Sequence, residues 1–206
     1  MLTVLLDRII GMVALVIICV FGLLINLKKV LEQPELRSLA LIIIAMLIFF
    51  VLLAFVGLSK TINKNKIFNK VMGKVPFSET FNKIYQAFHA YRDAHKYLTY
   101  ALLLSFLNHA MNIIAFYIIT KALGFGDLGL YAYVFIVPIG MITTAIPITP
   151  AGIGIGQAAY LKLFEWSLGY PTTIGADAIT ILQAISIIIF MAGGYFYITY
   201  RRTLTE

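Results

Sequence analysis

Apolar residues run through this chain in blocks too long and too even for strands. Residues 39–58 read LALIIIAMLIFFVLLAFVGL, without a single charge. Strands of a transmembrane barrel alternate apolar and polar positions over about ten residues, and no such alternation is present here. A helix that crosses a bilayer needs roughly 20 apolar residues. Blocks of that size predict spans at residues 9–27, 39–58, 98–123 and 176–200. The stretch LEQPELRS separates the first two, with Pro34 marking a short turn. The third is long enough to tilt. The last ends on Arg201 and Arg202.

Two segments depart from this rhythm. Residues 59–97 open with the basic run KTINKNKIFNKVMGK after Ser59. Pro76 then ends one piece, and Ser78 suits the N-cap of another, with Glu79 in its first turn. From there Phe81, Ile84, Tyr85 and Phe88 follow i, i+3, i+4, i+7 spacing, and Asn82, Lys83, Gln86 and His89 take the other side. The pattern predicts an amphipathic helix over residues 79–96. It suits either the membrane interface or an ordinary surface linker.

The second irregular segment, residues 129–168, is divided by ITPAGIGIGQ. Pro147 and Pro150 remove two backbone donors and disfavour helix at Ile146 and Thr149. Gly152, Gly154 and Gly156 let the backbone bend and let other groups come close. A helix restarting at Gly156 or Gln157 has free N–H groups that attract anions. Non-helical backbone at membrane depth survives only where protein buries it or a wet cavity meets it. Discontinuous helices near the midplane build substrate sites in transporters. Two arrangements fit: a re-entrant hairpin whose tip lines a polar cavity, or a plain turn outside the membrane between two crossing helices. The glycine spacing is not a dinucleotide fingerprint, which needs G-x-G-x-x-G after a strand.

Composition sharpens this reading. Of 206 residues, 61% are hydrophobic and 12% charged, against about 25% charged in soluble domains. The mean hydropathy is +0.94. These values describe an all-α, polytopic helical membrane protein with a broken or re-entrant hairpin, one membrane domain over residues 1–206. The first apolar run is too long for a signal-peptide core and lacks a small-residue cleavage site, so it reads as a retained span. The net charge of +7 is read as charge facing anionic headgroups rather than nucleic acid. Lys60, Lys64, Lys66, Lys70, Lys74, Lys83, Arg92 and Lys96 place residues 59–97 in the cytoplasm. Arg8, Arg201 and Arg202 then also lie inside. Lys28, Lys29 and Arg37 fall outside, partly offset by Glu32 and Glu35.

Polar side chains within spans are costly and tend to face protein or water. Ser105, Asn108 and Asn112 share one face of the third span, with His109 beside them. They form either a polar wall of a headgroup path or interhelical hydrogen bonds. Asp177, Thr180 and Gln183 mark one side of the last span, Gln183 lying deepest. Lys162 and Glu165 beside Trp166 and Tyr170 read as an interfacial belt with a local ion pair. Arg8 suits a lipid phosphate at the rim and equally suits snorkelling. Cys19 is the sole cysteine, and His89, His95 and His109 lack metal-ligand spacing. G-x-S-x-G and P-loop patterns are absent. No catalytic residue, metal or cofactor is expected, and an intramembrane transferase is disfavoured.

The stretch IPITPAGIGIGQAAYLKLF is similar to the proline–glycine motif of the lysylphosphatidylglycerol synthase transmembrane region family, flippase-like integral membrane proteins. LDRIIGMVAL, with Asp7, Arg8 and Gly11, resembles that family's segment of acid, arginine, hydrophobic residues and glycine. The resemblance covers essentially the whole chain. It implies a multi-pass protein of a bacterial or archaeal cytoplasmic membrane that binds and translocates an amphipathic lipid, a phospholipid or polyprenyl-linked lipid. Lipid-binding candidates are Arg8, Asn108, Asn112, Pro147, Pro150, Gly152, Gly154, Gly156, Gln157 and Gln183. Expected partners are membrane lipids, with a second copy or another membrane subunit. The alternative is a non-transporting accessory subunit of a lipid-modifying or glycosyl-transferring enzyme. Family members usually carry further spans ahead of the Asp–Arg segment, whereas six residues precede Asp7. Many have a glutamate near Gln157, so a neutral amide there argues against proton or cation coupling. The soluble aminoacyl-transferase domain of the larger synthases is absent, so lysyl-lipid synthesis is not implied.

Overall fold

In the computed structural model, residues 2–58, 95–126, 128–145 and 149–203 are described. The helices are α1 (Leu2–Ile25), α2 (Leu27–Glu32), α3 (Pro34–Leu58), α4 (His95–Ala122), α5 (Leu130–Ala145), α6 (Ile155–Leu168) and α7 (Ile174–Thr203), with a 3-10 turn at Pro150–Gly152. Among the described residues there is no strand. The protein is all-α and polytopic: α1, α3, α4 and α7 are each long and apolar enough to cross a membrane. The expected amphipathic helix at 79–96 lies almost wholly outside the described residues, as does Pro147.

The chain divides into two compact units, residues 1–111 and 112–206. In the first, the expected turn around Pro34 shrinks to one residue. Gln33 is extended (φ −112°, ψ 118°), as a residue before proline should be. Pro34 opens α3, where its missing N–H costs nothing. Residues 28–32, expected to lie in the loop between the first two spans, are helical. Asn26 joins α2 to α1, its side chain donating to Gly22 O at 2.8 Å. Leu6 and Ile9 of α1 meet Leu53 of α3, with Val13, Phe50 and Leu98 packed around them. Higher along α4, His109 is buried and its Nε2 lies 3.1 Å from Gly11 O.

The second unit is built on aromatic packing. Phe116 of α4 stacks on Tyr160 of α6 at 4.6 Å between ring centroids and lies 5.9 Å from Phe164. Tyr133 of α5 meets Phe164 edge-on at 5.8 Å. Each hydroxyl in this core is satisfied, as burial demands. Tyr133 shares a 2.7 Å hydrogen bond with Thr120, and Tyr160 donates to Val137 O at 2.9 Å. At the end of α4, Gly124 N–H reaches Lys121 O and Phe125 N–H reaches Thr120 O, the paired bonds of a Schellman closure. Phe125 thereby comes to lie on Phe164. At the start of α7, Thr172 Oγ1 accepts from Ile174 N–H, and Asp177 stands exposed in the first turn, accepting from Thr173 Oγ1 at 2.9 Å. A carboxylate there suits the positive helix end.

Candidate functional site

The helix break lies between α5 and α6. Thr149 is extended, Pro150 opens the 3-10 turn, and Ile153 is extended again (φ −65°, ψ 134°). Helix resumes at Ile155, slightly earlier than expected. Gly152 has φ +69°, and a Cβ there would stand 2.8 Å from Thr144 Cβ and 3.1 Å from its backbone. Absence of a side chain thus lets the turn lie against the end of α5. Gly154 has φ +88° and ψ −56°, a conformation that favours glycine. Here nothing would meet an added Cβ, so the requirement is purely conformational.

Gly154 occupies the N-cap position of α6. A glycine has no side chain to cap with, so only the returning half of a capping box forms: Gly154 N–H donates to Gln157 Oε1 at 2.6 Å. The Gln157 amide nitrogen then donates to Gln183 Oε1 at 2.8 Å and to Thr180 Oγ1 at 3.2 Å. The Thr180 hydroxyl donates in turn to Ala176 O at 2.7 Å. This network ties the first turn of α6 to the first third of α7. It also commits one N–H that had been expected to face an anion. Gly156 completes the junction, since a Cβ there would come within 2.9 Å of Thr144 Cγ2 and 3.4 Å of Gln183 Nε2.

Beside this junction is a cleft of about 230 Å³ lined by Asn112, Val137, Met141, Thr144, Tyr160, Ile179, Leu182, Gln183, Ser186, Ile187 and Phe190. All belong to the second unit. Of the expected lipid-binding residues, Asn112 and Gln183 line it and are half-buried. Gly152, Gly154, Gly156 and Gln157 shape the adjoining junction, and Pro150 is exposed at its turn. Arg8 and Asn108 belong to the first unit, are exposed, and do not line the cleft. The Lys162–Glu165 pair, 2.7 Å apart, with Lys162 exposed and Glu165 half-buried, also lies outside it.

Thr144, Tyr160 and Ser186 were not foreseen as lining residues. For Ser186 a signal exists: Thr180, Gln183 and Ser186 recur every third residue along one side of an otherwise apolar helix. The first unit contains a groove of similar size, about 240 Å³, but its lining, including Ile9, Val13, Leu47, Phe50 and Leu102, is wholly apolar. It offers nothing to a polar headgroup. Among the described residues no three of His, Cys, Asp and Glu gather as a metal site would require.

The helical span pattern and the proline–glycine break agree with one comparison. The family described as lysylphosphatidylglycerol synthase TM region matches residues 1–194. The chain belongs to that family. As a member of the lysylphosphatidylglycerol synthase TM region family, it is a multi-pass membrane protein related to lipid handling. No curated protein and no solved structure matches it.

Proposed function

We propose that the chain binds an amphipathic lipid and passes its headgroup through the second-unit cleft while the acyl chains remain in the bilayer. The observation that carries this reading is the cleft itself. Amide and hydroxyl side chains from four helices converge beside a broken helix, and Ile187 and exposed Phe190 complete the lining with apolar surface. Polar groups within apolar spans are otherwise expensive, and a lipid presents the same division of polar head from apolar tail.

The break is re-entrant in this reading. At 1.5 Å per residue, the 16 residues of α5 and 14 of α6 extend roughly 24 and 21 Å, short of the roughly 30 Å hydrocarbon core. The membrane is the cytoplasmic membrane of a bacterium or archaeon, with basic residues 59–97 on the cytoplasmic side.

The test is lipid transfer in proteoliposomes with Ser186→Trp, which fills the cleft and replaces no member of the Gln157 network. Transfer should be lost while insertion and thermal stability persist. Unchanged transfer would refute the cleft as the path. A second reading is a non-transporting accessory subunit. It draws on α7, whose residues 187–197 are exposed on every face, leaving roughly 16 Å of helix, about half a span, for another chain. A stoichiometric membrane partner retained on gentle purification, together with no transfer by the isolated protein, would favour it.

A further inference from the structure

The cleft is free of charge in a way that bears on its ligand. None of its lining residues is Asp, Glu, Lys, Arg or His. The sequence around it extends the point: residues 128–161 and 178–200 contain none of these five types. An ionised headgroup entering such a site would lose water and gain no countercharge, a cost that low-dielectric surroundings make severe.

The hydroxyls narrow the class further. Thr144 Oγ1 donates to Met141 O at 2.9 Å, and Ser186 Oγ donates to Leu182 O at 2.8 Å. A hydroxyl has one proton and two lone pairs. With the proton given to the helix backbone, each presents acceptor capacity to the cleft. Phosphate and carboxylate oxygens are acceptors themselves and need donors. An ammonium would find acceptors but no anion. An alcohol both donates and accepts, so it matches these hydroxyls and the amides of Asn112 and Gln183 alike. Phe190, 76% exposed, adds an aromatic ring to the lining. The volume of about 230 Å³ lies below the range of about 300–1,000 Å³ typical of drug-sized sites, so it suits one small headgroup unit.

We infer that the cleft selects an uncharged, hydroxyl-bearing headgroup, of the size of a single hexose, over an anionic phosphate or a cationic aminoacyl group. This rests on the reading of the cleft as a headgroup path.

The experiment uses the full chain in phosphatidylcholine proteoliposomes with three tail-labelled probes: monohexosyl-diacylglycerol, phosphatidylglycerol and lysyl-phosphatidylglycerol. The hexosyl lipid should move faster than both charged probes by about tenfold or more, a factor worth about 1.4 kcal/mol. Ser186→Ala, which removes one acceptor, should narrow that preference. Ser186→Lys should raise phosphatidylglycerol transfer relative to the hexosyl lipid. Equal or faster movement of a charged probe by the wild type overturns the inference and leaves translocation standing. If nothing moves, native mass spectrometry of protein taken from vesicles holding all three probes separates the two ideas. Preferential retention of the hexosyl lipid, lost in Ser186→Trp, keeps the selectivity and removes translocation. No preferential retention overturns both.

Discussion

Gln157 and Gln183 stand 26 positions apart in sequence and share a hydrogen bond of 2.8 Å, from the amide nitrogen of the first to the amide oxygen of the second. Because Gln157 Oε1 is occupied by Gly154 N–H, the orientation of the whole chain of amides is determined. Gln157 is thus a structural clamp as much as a site residue. Gln157→Leu should lower stability by about 0.5–1.5 kcal/mol for each hydrogen bond lost, its partners Gly154 and Thr180 being exposed and Gln183 half-buried. Gln157→Glu should cost less. As a neutral acid, the form that charge-free surroundings favour, it still accepts from Gly154 N–H and donates to Gln183 Oε1. Thermal unfolding in detergent should rank wild type first, the glutamate variant second and the leucine variant last. A leucine variant as stable as wild type would contradict the clamp.

The two glycines of the turn should fail differently. Gly154→Ala meets no neighbour, so it pays only for its positive φ, about 1–3 kcal/mol. Gly152→Ala adds contact with the Thr144 Cβ and backbone, an overpacking cost of about 1–3 kcal/mol more. Unfolding measurements should find Gly152→Ala the less stable of the two. The reverse order would mean that α5 gives way easily at Thr144.

Much of this break was legible from sequence because proline and glycine act locally. Pro34 set the α2–α3 junction through Gln33 alone, and Pro150 with Gly152 and Gly154 marked the turn. The spans were legible because lipid demands long apolar runs. The clamp was not, because a hydrogen bond between two glutamines depends on how α6 and α7 pack. The same holds for Thr144, whose place beside Gly156 follows from the close approach of two helices. Periodicity also says little about α5, where Phe135, Ile136, Val137 and Ile139 are all buried. A helix enclosed on most sides has no polar face to read.

Thr120 and Tyr133 offer a measure of what buried polar pairs contribute in this fold. Their hydroxyls lie 2.7 Å apart, and Thr120 also reaches Tyr117 O at 2.8 Å. In a membrane protein such pairs average about 0.6 kcal/mol, because the unfolded segments find other partners. A double-mutant cycle with Thr120→Val and Tyr133→Phe should return a coupling near that figure. A value above about 1.7 kcal/mol, the upper end for such pairs, would mark the pair as a keystone of the aromatic core.

His109 sets a test for the first unit. Its Nε2 meets Gly11 O, while Nδ1 is buried without a hydrogen-bond partner. Nε2 must carry the proton to donate to a carbonyl, so Nδ1 is a stranded acceptor. A typical hydrogen bond contributes about 0.5–1.5 kcal/mol, and an unsatisfied buried group costs about 1–3 kcal/mol. The two nearly cancel. His109→Leu should therefore fall within about 1 kcal/mol of wild type in unfolding, with lipid transfer unchanged, if the ring is only a pin between α4 and α1. Loss of transfer at retained stability would instead make His109 a working group within the membrane, since stability would then be maintained without the residue that function requires.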